Sequence, residues 1–169
     1  GDNPTVGNFT GSTSKSKYNT SYRYHKKTES KSIPSPIITK TKDTISNGLR
    51  TISFLITPQR TINKIELIAN EQITFNSIGV QNSMLDKKSE KDVFKVDKGT
   101  ILSYFFAGVD TQLKVDFTLD ASIEPNISII ESSFDLLTNP LFNIEPRTEE
   151  MMPMPFVTND AVITIQKLK

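Results

Sequence analysis

The side chains that could do chemistry are scattered along this chain, and their spacing does not group them. The single histidine, His25, lies between Tyr24 and Lys26 in a polar stretch. A Ser-His-Asp hydrolase needs its imidazole held in a rigid, partly buried frame, which such a stretch does not offer. Without cysteine, a zinc site would need several carboxylates around one histidine. We therefore predict no catalytic residue, no cofactor-binding residue and no metal ligand in this chain.

The acidic residues do not form a reactive pair either. Asp116 and Asp120 lie on one face of a predicted strand, about 13 Å apart at strand rise. An acid–base pair that shares one glycosidic bond needs a separation of about 5 to 9.5 Å. We interpret these two carboxylates as a solvated strand face. Glu149-Glu150 beside Arg147 could bind a cation or pair locally, and surface charge is the interpretation that we favour.

Residues 18–31 contain both tyrosines and basic residues, a mixture that is also found in binders of single-stranded nucleic acid. The whole chain has 20 basic and 19 acidic residues, so electrostatic recruitment of nucleic acid is not expected. An extended arm whose tyrosines pack and whose lysines stay hydrated is the favoured interpretation. The side chains that could form an interaction surface are Tyr18, Tyr22, Tyr24, Met152 and Phe156.

The composition changes at Pro34-Ser35-Pro36. Residues 1–36 are polar and poor in aliphatic side chains, which predicts a partly ordered arm. Residues 37–169 have the two-residue period of strands, and a chain of this length should bury about 70% of its unfolded surface. The longest apolar run, residues 101–109, is far shorter than the roughly 20 residues of a membrane span. We expect a fragment of a longer protein that does not itself insert into a membrane.

The strand predictions rest on alternation and turn signals. The clearest strand is residues 113–120, in which apolar and polar residues alternate strictly. Residues 93–96 and 101–106 are predicted to pair as a bulged hairpin through Asp97-Lys98-Gly99, with the second strand buried on both faces. A helical turn or two is possible in residues 130–137.

About eight such strands predict an all-β fold, an antiparallel β-sandwich that is immunoglobulin-like or jelly-roll-like, with an irregular N-terminal arm. The segment Met151-Met152-Pro153-Met154-Pro155-Phe156 cannot be helical, because its prolines lie one residue apart. We expect this strap to lie along the sandwich, where replacing a buried Phe156 by Ala would cost about 3 to 5 kcal/mol.

The C-terminal segment R-T-E-E-M-M-P-M-P-F-V-T-N-D-A-V, residues 147–162, resembles the extreme C-terminus of large membrane-embedded zinc peptidases of the M28 family from Bacteroidetes. These peptidases look related to the vacuolar and endoplasmic-reticulum membrane proteases of eukaryotes. Three further segments are similar to the same region of the family. They are N-P-T-V-G-N-F-T-G at residues 3–11, T-P-Q-R with I-E-L at 57–60 and 65–67, and E-S-S-F-D-L-L-T-N-P-L-F at 131–142.

The resemblance implies a place in a larger protein: a peptidase domain, then several membrane spans, then this domain on the extracytoplasmic (periplasmic) side. The paired zinc ions of the family need two histidines, which this chain lacks, so none of those ligands is carried over. Zinc is expected only in the parent peptidase domain, and the partners are the chain's own peptidase and membrane domains. The expected function is therefore a non-catalytic accessory domain, and the alternative is a free-standing glycan- or peptide-binding β-sandwich module.

Overall fold

The computed structural model describes residues 10–15, 21–25, 29–85, 93–107, 111–145, 147–150 and 160–169, with the backbone alone for 10–15 and 21–25. The chain divides into two compact units, Gly1–Ser32 and Ile33–Lys169. The sequence placed this division at residue 36. The strap at 151–156, and with it the prediction for Phe156, lies outside the described residues.

The first unit contains an antiparallel pair of strands, β1 (Thr10–Lys15) and β2 (Ser21–His25). A bulge interrupts their pairing between Gly11 and Ser14. Neither strand was predicted from the sequence, because neither contains an aliphatic side chain that would mark a buried face. Backbone hydrogen bonds do not depend on such side chains.

The second unit is built from antiparallel strands, and its described residues contain no helix. In chain order the strands are β3 (Ile37–Ser46), β4 (Leu49–Thr57), β5 (Lys64–Ala69), β6 (Ile73–Phe75), β7 (Ser77–Val80), β8 (Ser83–Met84), β9 (Phe94–Val96), β10 (Gly99–Phe105), β11 (Leu113–Asp120), β12 (Ile127–Ser133) and β13 (Val162–Lys167). One sheet has the order β3-β4-β11-β7-β8 and another the order β10-β5-β12-β13. A small third sheet pairs β6 with β9.

The inward faces of the two large sheets form one core, as the predicted antiparallel β-sandwich requires. Strict alternation in β11 buries Leu113, Val115, Phe117 and Leu119, while the residues between them stay partly exposed. The Phe117 ring stacks on that of Phe75 at a centroid distance of 5.0 Å. The other large sheet contributes Ile65, Leu67, Ala69, Ile127 and Ile129 to the same core. The all-β sandwich is thus confirmed.

Three local predictions were wrong. Strand β9 does not pair with β10: β9 pairs with β6, and β10 pairs with β5. Strand β10 is an edge strand in which Phe105 is 61% exposed, so its apolar content does not signal burial on both faces. Residues 130–133 belong to strand β12 and not to a helical turn, because pairing with β5 and β13 on both sides holds them extended.

Candidate functional site

A buried carboxylate is the least expected feature of the sandwich. Glu131 lies on β12, between β5 and β13 in the four-stranded sheet. The two-residue period of the strand places Glu131 on the same face as Ile127 and Ile129, which belong to the core. Its exposed fraction is 0%. A charge in this position must be paired, or its burial would be prohibitively costly.

The partner of Glu131 is Arg60, which enters from the connection between β4 and β5. The Arg60 Nε lies 3.3 Å from Glu131 Oε2, and Thr164 Oγ1 donates a hydrogen bond to the same oxygen at 3.2 Å. The Arg60 Nη1 donates to Ser133 Oγ. Its Nη2 donates to the backbone oxygens of Glu131 at 3.4 Å and of Val162 at 3.3 Å. One guanidinium therefore joins this connection to both β12 and β13.

The pairing is incomplete. Glu131 Oε1 and Arg60 Nε are buried without a hydrogen-bond partner in the described structure, although Nε and Oε2 are within ion-pair distance. Burial raises the pKa of Glu131 above its usual value, and the neighbouring Arg60 charge and the Thr164 hydrogen bond only partly oppose this rise. Desolvation therefore outweighs the attraction between the charges, which is common for buried ion pairs.

Further polar contacts extend from this pair along the same end of the sheet. The Ser133 hydroxyl donates to Asp135 Oδ1 at 2.5 Å, and Asn139 Nδ2 donates to Asp135 Oδ2 at 2.8 Å. Nearby in the sequence, Arg147 binds Asp160 through both of its terminal nitrogens. Arg147 therefore pairs with Asp160 and not with Glu149 or Glu150. Both glutamates are exposed, in agreement with the favoured interpretation of surface charge.

A hollow of about 470 Å³ adjoins Arg60. The backbone of Asn63 connects two sides of this hollow. Its N–H donates to Ser132 O at 2.9 Å, and its oxygen accepts from Phe106 N at 3.0 Å. The Asn63 side chain is also committed, because its Oδ1 accepts from Phe134 N at 2.8 Å. The hollow is lined by Pro58, Phe106, Thr111 and residues 60–63.

The lining of this hollow is chemically mixed. Its volume falls within the range of about 300–1,000 Å³ that small-ligand sites have. The lining combines the apolar residues Pro58, Ile62 and Phe106 with the polar residues Thr61 and Asn63. Since the Arg60 charge is paired with Glu131, the hollow suits an uncharged, hydrogen-bonding group, such as a sugar ring or a peptide segment.

The other carboxylates that we had considered lie on the five-stranded sheet. Asp116 Oδ1 accepts a hydrogen bond of 2.5 Å from Ser53, and Asp120 accepts from Ser122. The Ser122 hydroxyl and backbone N–H lower the pKa of Asp120. The sequence predicted a solvated carboxylate at Asp116. In the structure this carboxylate instead accepts a hydrogen bond from Ser53 on the adjacent strand β4. Asp120 is exposed and binds its own turn.

A surface cluster of charges joins β3 to β4. The Arg50 guanidinium donates to Asp43 at 2.7 and 2.8 Å and to Glu124 at 2.5 Å. The hydrogen bond from Arg50 holds the pKa of Asp43 far below its usual value, and the same contact raises that of Arg50. This cluster binds a strand to its neighbour and leaves no free acid for proton transfer.

The predicted interaction surface is only partly within the described chain. Tyr22 and Tyr24 lie on β2, where their backbones pair with Ser14 and Gly11. The remaining members, Tyr18, Met152 and Phe156, lie outside the described residues.

Neither Arg60 nor Glu131 was among the candidate site residues predicted from the sequence. A signal for Glu131 was nevertheless present: it follows Ile127 and Ile129 at spacing two, so it takes a core position in a strand of that period. Within the described ranges, no group of three or more His, Asp or Glu side chains is placed to hold a metal ion. Among the same residues, no helix is long and apolar enough to cross a bilayer. No family model, curated protein or solved structure matches this chain.

Proposed function

We propose that this chain is a non-catalytic accessory domain of a membrane-bound M28 zinc aminopeptidase, located on the extracytoplasmic side and tethered through the parent protein. Its role there is assembly, stability or substrate access. The proposal rests on the resemblance of the four sequence segments. The structural observation that supports it is the use of the acidic side chains, which bind strands and turns together: Asp43, Asp116, Glu131, Asp135 and Asp160.

The ligand chemistry of the family agrees with a non-catalytic role. A two-zinc centre of that family needs two histidines, and the whole chain has one. The zinc ligands of the parent enzyme would therefore come from its peptidase domain. The chain itself contributes a β-sandwich in which the buried Arg60–Glu131 pair joins the connection between β4 and β5 to β12.

Purified alone, the chain should not hydrolyse aminoacyl anilide substrates, with or without added zinc, and should not retain zinc after gel filtration. Deleting it from the full-length parent should reduce the amount of assembled enzyme or its access to long peptides. Turnover that follows the chain through purification would contradict the proposal. So would an open reading frame that encodes neither a peptidase domain nor membrane spans upstream.

A second candidate function is binding of a glycan or peptide by a free-standing module, and the hollow beside Arg60 favours it. The Phe106 ring is the natural contact for a sugar or peptide face. Phe106→Ala should then abolish binding on a glycan or peptide array. Phe105→Ala, at an exposed residue that does not line the hollow, is the matched control and should leave binding intact.

A further inference from the structure

The connection between β3 and β4 is a two-residue turn made of Asn47 and Gly48. Ser46 pairs with Leu49, and the two turn residues have φ values of 50° and 75°. Positive φ at both central residues defines the type I′ turn, for which Asn-Gly is the preferred sequence. Asn47 is exposed, and a Cβ built on Gly48 would meet no atom within 4 Å. The space around Gly48 is therefore open.

We propose that Asn47 is a site of spontaneous deamidation. The backbone nitrogen of Gly48 attacks Cγ of Asn47, so that an N–Cγ bond forms and the Cγ–Nδ2 bond breaks. The side-chain nitrogen leaves as ammonia with the proton of the Gly48 amide. One water molecule then opens the resulting succinimide at either of its carbonyls, which gives aspartate or isoaspartate at position 47. No oxidant, metal or second protein is needed.

Other asparagines of the described chain are less suited to this reaction. The side-chain amides of Asn70 and Asn139 donate hydrogen bonds to Asn126 and Asp135, respectively. Asn139 also precedes Pro140, whose nitrogen has no proton to lose. Neighbouring side chains hinder the ring closure elsewhere, whereas glycine does not.

Asn82 is the closest comparison. It lies in the turn between β7 and β8, has a φ of 65° and is exposed. Its Oδ1, however, accepts a hydrogen bond of 2.7 Å from Lys114 Nζ, and the next residue is Ser83, which bears a side chain. Asn82 thus has a similar backbone conformation and exposure without the unhindered nucleophile, and it serves as an internal control.

The two products should differ in their effect on the hairpin. Aspartate tolerates the left-handed conformation almost as well as asparagine does. Isoaspartate adds one methylene to the main chain inside a turn whose register is fixed by Ser46 and Leu49. The Gly48 oxygen also accepts a hydrogen bond from Ala121 N at 2.9 Å, which the longer backbone would displace. Isoaspartate should therefore loosen the outer strand β3.

The folded chain would be incubated at mildly alkaline pH and sampled by peptide mapping and by isoaspartyl methyl transfer. Product should accumulate at residue 47 before it appears at residue 82. Gly48→Ala should slow the reaction several-fold, because its methyl group hinders the ring closure. The substitution also strains the folded turn, since Gly48 has a φ of 75°, so the unfolded chain gives the rate without that strain. The ratio of the two rates, wild type over Gly48→Ala, is also measured in urea and shows whether the effect of the substitution depends on folding. The wild-type rate at Asn47 in urea gives the intrinsic rate of deamidation. A lower rate in the folded chain then measures how far the fold protects Asn47.

Two results would overturn the inference. One is earlier product at Asn82 or at another described asparagine. The other is an unmodified Asn47 in the folded chain after the urea-unfolded chain has fully reacted. Separated aspartate and isoaspartate forms complete the test, since only the isoaspartate form should melt at a lower temperature. Asn47→Asp, which has the same side chain as the aspartate product, should have the melting temperature of the unmodified chain.

Discussion

The Nε of Arg60 lies 3.3 Å from Oε2 of Glu131, inside a sandwich that excludes water from the carboxylate. The pair satisfies its charges better than its hydrogen bonds, since Glu131 Oε1 has no partner in the described structure. Leaving a buried polar atom unpaired costs about 1–3 kcal/mol. The contact therefore links the connection between β4 and β5 to strand β12, and its stabilising effect depends on the protonation of Glu131.

The first prediction is a loss of stability with rising pH that comes from Glu131. Burial raises the pKa of Glu131 in the folded chain above its ordinary value of 4.5. A carboxyl with a raised pKa binds its proton more tightly when folded. Its contribution to stability is therefore complete below pH 4.5 and is lost as the pH rises through the folded pKa.

Glu131→Gln is the matched variant for this prediction, because glutamine has nearly the same shape and does not titrate. The free energy of unfolding, measured in urea across the pH range, should fall for the wild type relative to the variant as the pH rises above 4.5. Parallel curves for the two proteins would mean that Glu131 has no raised pKa.

The opposite pH trend is expected at Asp43. The hydrogen bond from Arg50 holds the pKa of Asp43 far below its usual 3.8, so the contribution of this carboxylate is present above pH 3.8 and lost as the pH falls through the folded pKa. Asp43→Asn should be less stable than the wild type at neutral pH, and strongly acidic pH should remove the difference. Salt should also reduce the difference, because this cluster lies at the surface. An effect that is unchanged in concentrated salt would contradict this account.

Removing the cation of the buried pair, Arg60, should lower the stability more than neutralising Glu131 does. Arg60→Met leaves the Glu131 carboxylate buried without a cation, which typically costs about 3–5 kcal/mol at neutral pH. The double variant Arg60→Met with Glu131→Leu removes both charges and should recover much of that loss. Urea unfolding of the two single variants and the double variant gives the coupling energy. Additive losses would show that the two side chains do not interact.

The core gives a prediction that is independent of charge. Phe117 is fully buried and stacks on Phe75, so Phe117→Ala should cost about 3–5 kcal/mol. Phe105 is 61% exposed on an edge strand, and Phe105→Ala should change stability by no more than about 0.5 kcal/mol. Calorimetry of the two variants checks both values. Equal losses would mean that the sheets do not pack as described.

Sequence patterns predicted the sandwich because a strand with one buried face alternates apolar and polar residues. The period of two in β11 places four apolar side chains on the core face, and the structure buries all four. The choice of pairing partner produces no such local pattern. The turn at residues 97–99 suggested a hairpin, but β9 and β10 pair with strands elsewhere in the chain. The choice of partner is a long-range property, which local spacing does not encode.

The strongest local hairpin signal in the sequence is Asn47-Gly48, which joins β3 to β4 in the type I′ turn that this dipeptide favours. The Arg60–Glu131 site could be anticipated only in part. The spacing places Glu131 on the core face, but nothing local indicates that Arg60 reaches it across 71 residues.

The last prediction concerns Gly79, which faces Asp116 across β7 and β11. A Cβ at this position would lie 3.2 Å from Asp116 Cβ and 3.1 Å from Met84 Sδ. The methionine is exposed and flexible, so it can move away, whereas Asp116 Cβ is fixed by its strand and by the hydrogen bond from Ser53. Gly79→Ala should therefore cost about 1–3 kcal/mol through overpacking. Adding Met84→Ala should restore only a minor part of that loss in urea unfolding, and full restoration would show that the methionine, not the aspartate, excludes a side chain at residue 79.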